Sequence, residues 1–547
     1  MANVIFNKKK FEKEIGTLDS KMQDRISLFG TPVEKITDND VELEIFPNRP
    51  DMLSYHGFKR AFLAFLGRNS GLKVYKMNKP EKDCRVTIEP SIKNVRPFTA
   101  CAIIKGLKLD DEKIKEIIDI QEKIHLTLGR KRKKVAIGIY PLDKIKLPIT
   151  FKALEPDKIK FIPLEANKEM SGLEILQKHS AGKEYAHLLA GKTNFPIFTD
   201  AEGKILSMPP IINSQLTGKI TSDTRDVFLE CSGFDFSILS RCLNILVAIL
   251  ADMGGKIYQI EIQSDKKNKK ITPDLEAEKM KISVENANKL LGLNLNEKQI
   301  KKLLERMGYN YGKGNAEIPP WRVDVLHEVD LIEDIAIAYG YENFIPEIPK
   351  ISTIGEESQR ETAKRKIAEI LCGLNINELM NYHLMNKEDI AKIDAKQSKN
   401  IIELEECKTD YSLLRNNLSL CLLKTLSENV DSEYPQRIFE LGKVFSLEKN
   451  DIKEKENLSI AITPGNFTEL RQILEYLFRM LGKEIKIKEP SEFPLHFIEG
   501  RVAEIFADEK STGFIGEIHP KILKNWKLKM PVALLEIELE KVFEKLI

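Results

Sequence analysis

The chain has 547 residues, 42% hydrophobic and 31% charged, too long for one core and too apolar for a disordered or fibrous chain, so three or four globular domains are expected. Its net charge of +2 argues against global attraction to a polyanion, so any nucleic-acid contact has to come from local patches. The seven cysteines include no CxxC pair, which argues against a zinc ribbon or a disulfide framework and for a reducing compartment.

The start, MANVIFNKKKFEKEIG, has no apolar core of the kind a secretory leader needs. The most apolar stretch, Ile238 to Leu250, is broken by Ser240, Arg241 and Asn244 and is too short and polar to span a bilayer. A cytoplasmic protein without a membrane partner is expected.

Residues 1–75 read as short strands and a helix. VELEIF alternates as a half-buried strand does. PNRPDM then turns, Asp51 is placed to cap the next helix, and Phe58, Phe62, Phe65 and Leu66 share its core face. The polar KMNKPEKDC is a linker. Residues 84–265 mix strands (FTACAIIKGL, KVAIGIY, KIYQIEI) with helices (DDEKIKEIIDIQEKIHLTL, DFSILSRCLNILVAILADMG) and end in the basic run SDKKNKK, a mixed α/β pattern.

In residues 272–345, SVENANKLLG and NEKQIKKLLERMG are two short amphipathic helices stopped by Gly292 and Gly308. Asn296 and Gln299 form a capping box for the second, and the pair has helix-turn-helix form. EIPPWRVDV is expected as a strand, followed by a helix from Asp330 to Tyr339. IPEIPKISTIG is a linker. Residues 356–547 alternate helices with strands such as QRIFELGKVFSL, RVAEIFA and ALLEIEL. The fold class is therefore α+β and multidomain.

Three constellations could carry chemistry. In WRVDVLHEVDLIEDIAIAYGY, Glu333 and Asp334 follow Asp330 at i+3 and i+4 on one helical face, with Asp324 six residues before Asp330. Four such oxygen donors suit a hard cation, Mg²⁺ above all; taken alone, they are explained as simply by acids complementing a helix dipole. In SMPPIINSQLTGKITSDTRDVFLECSGFD, Ser207, Asn213, Ser214, Thr217, Thr221 and Thr224 cluster beside Asp226, Glu230 and Asp235. No His or Cys lies beside a serine there, which argues against a hydrolytic triad and leaves a polar ligand pocket or a turn-rich β segment. GRKRKK, Gly129 to Lys134, suits a phosphate backbone or a solvated surface, with no aromatic residues for base stacking. The second helix of the helix-turn-helix carries Lys298, Lys301, Lys302 and Arg306 but also Glu297 and Glu305; mixed signs make a poor DNA-reading helix and favour packing. There is no GxxxxGK[ST], GxGxxG after a strand or HExxH, and no glycine-rich run ending in Arg such as class II synthetases use for ATP.

Together these stretches resemble the phenylalanyl-tRNA synthetase β-subunit family of the archaeal and eukaryotic type along nearly the whole chain. EIFPNRPDMLS looks like its N-terminal domain. GRKRKKVAIGIYPLDKIK and MPPIINS with TRDVFLE look like its editing domain. PPWRVDVLHEVDLIEDIAIAYGY is similar to the acidic signature of its helix-turn-helix domain. YPQRIFELGKVF, FIEGRVAEIFA and GFIGEIHPKIL look like its inactive catalytic-like module. The resemblance implies an editing domain of mixed α/β fold, a winged-helix-like domain, and a class II synthetase-like antiparallel sheet with helices. It implies ATP-dependent ligation of phenylalanine to its tRNA in an (αβ)₂ heterotetramer, with ATP and the active site on the α subunit. It makes Asp324, Asp330, Glu333 and Asp334 an Mg²⁺ site at the contact with α. It makes Ser207, Asn213 and Glu230 an editing pocket that hydrolyses tyrosine wrongly esterified to the phenylalanine tRNA. A site built for Phe rejects Tyr only by crowding its hydroxyl, so a second site has physical sense, and Glu230 could accept that hydroxyl's hydrogen bond.

One departure stands out. Tyr140-Pro141 occupies the place of the family's His-Asp, which puts proofreading in question. Two other readings are a free-standing editing hydrolase or tRNA-binding module, and a DNA-binding regulator. Co-purification with an α chain carrying the class II motifs separates the first reading from both.

Overall fold

Alternation in VELEIF produces what its period requires. Asp40–Ile45 is a strand with Val41, Leu43 and Ile45 inward, paired antiparallel with Ala2–Asn7 and Val33–Ile36. The computed structural model describes residues 2–264, 269–348, 354–393, 401–405, 407–448 and 451–543. It divides into two units, residues 1–348 and 349–547. The middle of SDKKNKK and of the linker IPEIPKISTIG lies outside the described residues.

The first helix after PNRPDM runs Tyr55–Phe65 and buries Phe58, Phe62 and Phe65. Its cap is Ser54, whose hydroxyl accepts from the Gly57 amide at 3.1 Å, not Asp51 as the sequence suggested. Pro50 starts a separate 3-10 turn, and there Asp51 accepts both Nε and Nη2 of Arg49 at 2.9 Å.

Two sheets follow. One has five strands in the order Met77–Asn78, Lys256–Tyr258, Phe98–Lys105, Val227–Gly233, Val135–Pro141; the other has seven and includes Ile205–Met208, Ile212–Asn213 and Ile149–Leu154. KIYQIEI, expected as one strand, breaks at Gln259: Ile257 pairs with Ile104 in the first sheet and Ile262 with Val86 in the second. Gln259 spends its backbone amide on Asn78 and its side-chain amide on Pro273 instead. The sheets face each other through Cys101, Ile103, Tyr140 and Phe228 on one side and Phe151, Phe198 and Leu206 on the other. The opposite face of the five-stranded sheet buries Ala100, Ala102 and Ile104 against helices Asp111–Leu126 and Phe236–Asp252. The period of two makes Tyr140 and Glu230 face the seam between the sheets rather than those helices.

The helix pair is Val284–Leu291 and Glu297–Arg306. The capping box forms as expected, with the Gln299 amide donating to Asn296 Oδ1 at 3.0 Å and the Asn296 amide to Gln299 Oε1 at 2.8 Å. Gly292 takes the left-handed φ of 66° that ends the first helix. A hairpin, Asn310–Gly312 with Asn315–Ile318, follows and gains a third strand, Glu278–Lys281. The strand expected over EIPPWRVDV ends at Ile318, because Pro319 and Pro320 have no amide to continue a ladder. The next helix is Glu328–Tyr339. One apolar cluster runs from Val4 through Phe62, Leu243 and Leu304 to Ile335, so these regions share a core.

In the second unit a seven-stranded sheet runs in the order Asn377–Leu379, Gln436–Glu448, Asp451–Thr463, Ala533–Glu538, Lys510–Ile518, Phe497–Ala507, Ile485–Lys488. Every pair is antiparallel except the first. Helices Gln359–Gly373 and Phe467–Met480 bury Leu371, Leu470, Leu474 and Leu477 on one face; helix Ser419–Glu428 and Trp526 cover the other. Among the described residues no helix is long and apolar enough to cross a membrane.

Candidate functional site

The hairpin register places Ser207 directly opposite Asn213. In the facing sheet Glu230 lies opposite Gly138 and Tyr140 opposite Phe228, so Tyr140 and Glu230 are diagonal neighbours on one face. The four meet in the seam. Tyr140 Oη lies 2.8 Å from Ser207 Oγ, 3.2 Å from Glu230 Oε1 and 3.4 Å from Asn213 Oδ1. Tyr140, Ser207 and Glu230 are buried. One hydroxyl proton cannot serve three acceptors, so the group is complete only when a neighbour also donates. Burial pushes the Glu230 carboxyl up to about 8, against the pull of Arg96, Tyr140 and Ser232. Glu230 is therefore mostly a neutral acid at pH 7 and can donate to Tyr140 Oη. Its other oxygen, Oε2, has no hydrogen-bond partner.

The three residues singled out in the sequence thus come together, around the hydroxyl of Tyr140. The remaining space beside them is a cavity of about 100 Å³ lined by Glu122, His125, Arg132, Pro209, Asn213 and Glu230, among others. His125 is buried, which lowers its pKa. It accepts the Ile137 amide at Nε2 (2.9 Å), which leaves the proton on Nδ1, 3.3 Å from Glu122 Oε1. Arg132 belongs to the basic run read as a surface, yet its guanidinium turns inward. It donates to the Ile211 carbonyl at 2.8 Å and to Glu122 at 3.0 Å and lies over the Tyr185 ring. Arg96, also missed, is buried and donates to Ser232 Oγ at 3.1 Å and to the Ser232 carbonyl at 2.5 Å; burial lowers its pKa to about 10. Nothing in sequence spacing marks His125 or Arg96, and Arg132 stood out only as part of a basic run, because each is recruited across strands or helices. Only Tyr140 was visible, as a departure.

The acids of WRVDVLHEVDLIED gather around an arginine. Arg322 Nε donates to Asp324 Oδ1 at 2.8 Å, and Nη2 to Asp324 Oδ2 at 2.7 Å and to Asp334 Oδ2 at 2.8 Å. Tyr309 Oη also donates to Asp334. Burial alone would raise the Asp324 carboxyl, but Arg322 holds it below its ordinary value. Asp330 Oδ2 accepts the Leu326 and His327 amides, both at 2.7 Å, and so closes the helix start. Glu333 has no such partner; partial burial and the charges of Asp334, Asp330 and Asp324 raise its pKa. The donors have the hard-oxygen chemistry Mg²⁺ prefers. As folded they do not fit one, since among the described residues no group of three His, Cys, Asp or Glu side chains is placed to hold a metal. The physical reason is that Arg322 already neutralises two of the four and a helix start uses the third.

The helix-turn-helix behaves as a packing element. Arg306 donates to the Phe65 carbonyl at 3.0 Å and the Ala338 carbonyl at 2.6 Å, and Lys301 pairs with Glu305.

Three family models match the chain: the B3/4 domain over residues 104–244, the tRNA synthetase B5 domain over 280–341, and the phenylalanyl tRNA synthetase beta chain CLM domain over 345–539. The phenylalanine–tRNA ligase beta subunit of Thermococcus sibiricus is 40% identical over 91% of this chain and 90% of its own length. That of Archaeoglobus fulgidus is 36% identical over 98% and 97%. Among solved structures, an N-terminal fragment of the phenylalanyl-tRNA synthetase beta subunit from Pyrococcus horikoshii aligns with a TM-score of 0.59 and 37% identity, covering 62% of this chain and 99% of the fragment.

Proposed function

The chain belongs to the β-subunit family of phenylalanine–tRNA ligase, and on that footing we propose that it is the half of the enzyme that forms no aminoacyl bond. It assembles with an α subunit as an (αβ)₂ heterotetramer, and α binds ATP and joins phenylalanine to its tRNA. The observation that carries this reading is that residues 356–547 form a seven-stranded, mostly antiparallel sheet flanked by helices, with no ATP-binding motif in the sequence. A carboxylate that could serve a substrate there is already used: Glu536 accepts the Leu418 and Ser419 amides at 2.9 and 2.8 Å and the Asn457 side-chain amide at 2.7 Å. It closes a helix start. The test is phenylalanine-dependent pyrophosphate exchange with the isolated chain. None is expected without α, and robust exchange by the chain alone would sink the assignment.

We assign the seam around Ser207, Asn213 and Glu230, where Tyr140 Oη now sits, as the place a tyrosyl ester of a mischarged tRNA would take. A neutral acid and an amide could read a phenol, and no residue there is an obvious general base, so hydrolysis would rest on a positioned water. The Mg²⁺ expected at Asp324, Asp330, Glu333 and Asp334 is proposed for the assembled enzyme alone, where Arg322 would have to release a carboxylate. If a cation joins the subunits, replacing Asp330 and Glu333 by Ala, or adding a chelator, weakens assembly with α. Assembly indifferent to both removes the cation from the proposal.

A further inference from the structure

We propose that Tyr140 is a resident phenol: its ring stands where the seam around Ser207, Asn213 and Glu230 would hold the ring of a tyrosyl ester, so the chain admits no tyrosine while Tyr140 is in place. This rests on the reading of that seam as the ester's site. The geometry is that of a bound ligand. The hydroxyl reaches all three polar residues within 3.4 Å, the ring packs on Phe228 at 5.9 Å, and the side chain has no exposed surface. A phenol is the group that distinguishes tyrosine from phenylalanine. Ser207 Oγ, Asn213 Oδ1 and Glu230 Oε1, the atoms that would recognise it in a guest, are already engaged by Tyr140 Oη, so a guest phenol must displace the resident hydroxyl to reach them.

The strand itself is built to allow this. Gly138, two residues before Tyr140, has no side chain, and a Cβ there would lie 2.1 Å from Tyr140 Oη and 2.6 Å from Glu230 Oε1. The hydroxyl can fold back over its own strand towards Glu230 only because that position is glycine. The space left beside the group, about 100 Å³, is smaller than the cavity of about 150 Å³ that holds a benzene ring. The space beside the resident ring is tight for a second, substrate ring.

The experiment uses the enzyme assembled with its α subunit and compares wild type with Tyr140→Ala and Tyr140→His. p-Cresol serves as the phenol probe and toluene as the same shape without a hydroxyl. Wild type is expected to bind neither probe and to leave tyrosyl-tRNA intact. Tyr140→Ala is expected to take up p-cresol about tenfold more tightly than toluene, seen as thermal stabilisation, and to clear tyrosyl-tRNA at least about tenfold faster than wild type. Tyr140→His, which keeps a polar ring, is expected to give the same direction of change and stands in should the alanine variant fail to fold. Binding of p-cresol by wild type, or rapid clearance by wild type that Tyr140→Ala does not change, overturns the proposal. So does a folded variant that binds no p-cresol. A variant that binds p-cresol yet leaves tyrosyl-tRNA intact upholds the resident ring and overturns instead the assignment of the seam to the ester.

Discussion

The group around Tyr140 is held by hydrogen bonds of 2.8 to 3.4 Å between uncharged partners in the seam of two sheets. The group around Arg322 is held by charge, with Asp324 and Asp334 on one guanidinium beside a helix start. Both were legible in the sequence as clusters of oxygen donors suited to a guest, a tyrosyl hydroxyl in one and a divalent cation in the other. In both, a resident side chain of like chemistry supplies what the guest would bring. The difference lies in what removal leaves behind. Taking away a phenol strands neutral dipoles, which water can serve at modest cost. Taking away a guanidinium strands buried carboxylates, whose cost is several-fold greater.

The largest expected effect follows from that contrast. Arg322→Met leaves Asp324 and Asp334 buried without the guanidinium that bridges them and should cost about 3–5 kcal/mol, seen as a lower urea midpoint. Recovery on adding Mg²⁺ would show that the four acids can house a cation once the guanidinium is gone. Loss without recovery would show that they serve the arginine alone.

The next effect is a slope. Burial raises the Glu230 carboxyl from 4.5 to about 8. The proton it keeps on folding stabilises the native state fully below pH 4.5, and that contribution is lost as the pH rises through about 8. Glu230→Gln cannot titrate and should flatten the stability profile between those two values. An unchanged profile would place the titrating group elsewhere.

Tyr140→Phe should cost less than the arginine variant, about 1–3 kcal/mol, because it leaves Ser207, Asn213 and Glu230 without the hydroxyl they share. An unchanged thermal midpoint would mean that the three oxygens are served without it. Smallest of all, Asp330→Ala removes the two amide acceptances at the start of Glu328–Tyr339 and should cost about 1 kcal/mol. A loss matching that of Arg322→Met would mean that Asp330 belongs to the charged group after all.

Much of the local structure could be read from residues alone. The capping box of Asn296 and Gln299, the stop at Gly292 and the core face of Phe58, Phe62 and Phe65 all form, because each depends on contacts within a few residues. The misses have causes that are equally local but compete. Ser54 outranked Asp51 as a cap because Pro50 drew the aspartate into its own turn. WRVDV failed as a strand because two prolines precede it. KIYQIEI has an unbroken strand pattern, and only the separation of two sheets divides it at Gln259.

What the sequence determined was chemistry at short range. It placed acids on one helical face, polar residues in one β segment and a tyrosine in an unexpected position, and through their whole-length likeness it indicated the family. What only the tertiary structure decided was who answers those groups. Arg322 stands two residues from Asp324 yet joins it to Asp334 across a turn. Tyr140 meets Ser207, Asn213 and Glu230 from 67 to 90 positions away. Burial is the physical reason. A polar group removed from water must find a partner in whatever the fold brings near, and distance along the chain says nothing about which side chain that will be.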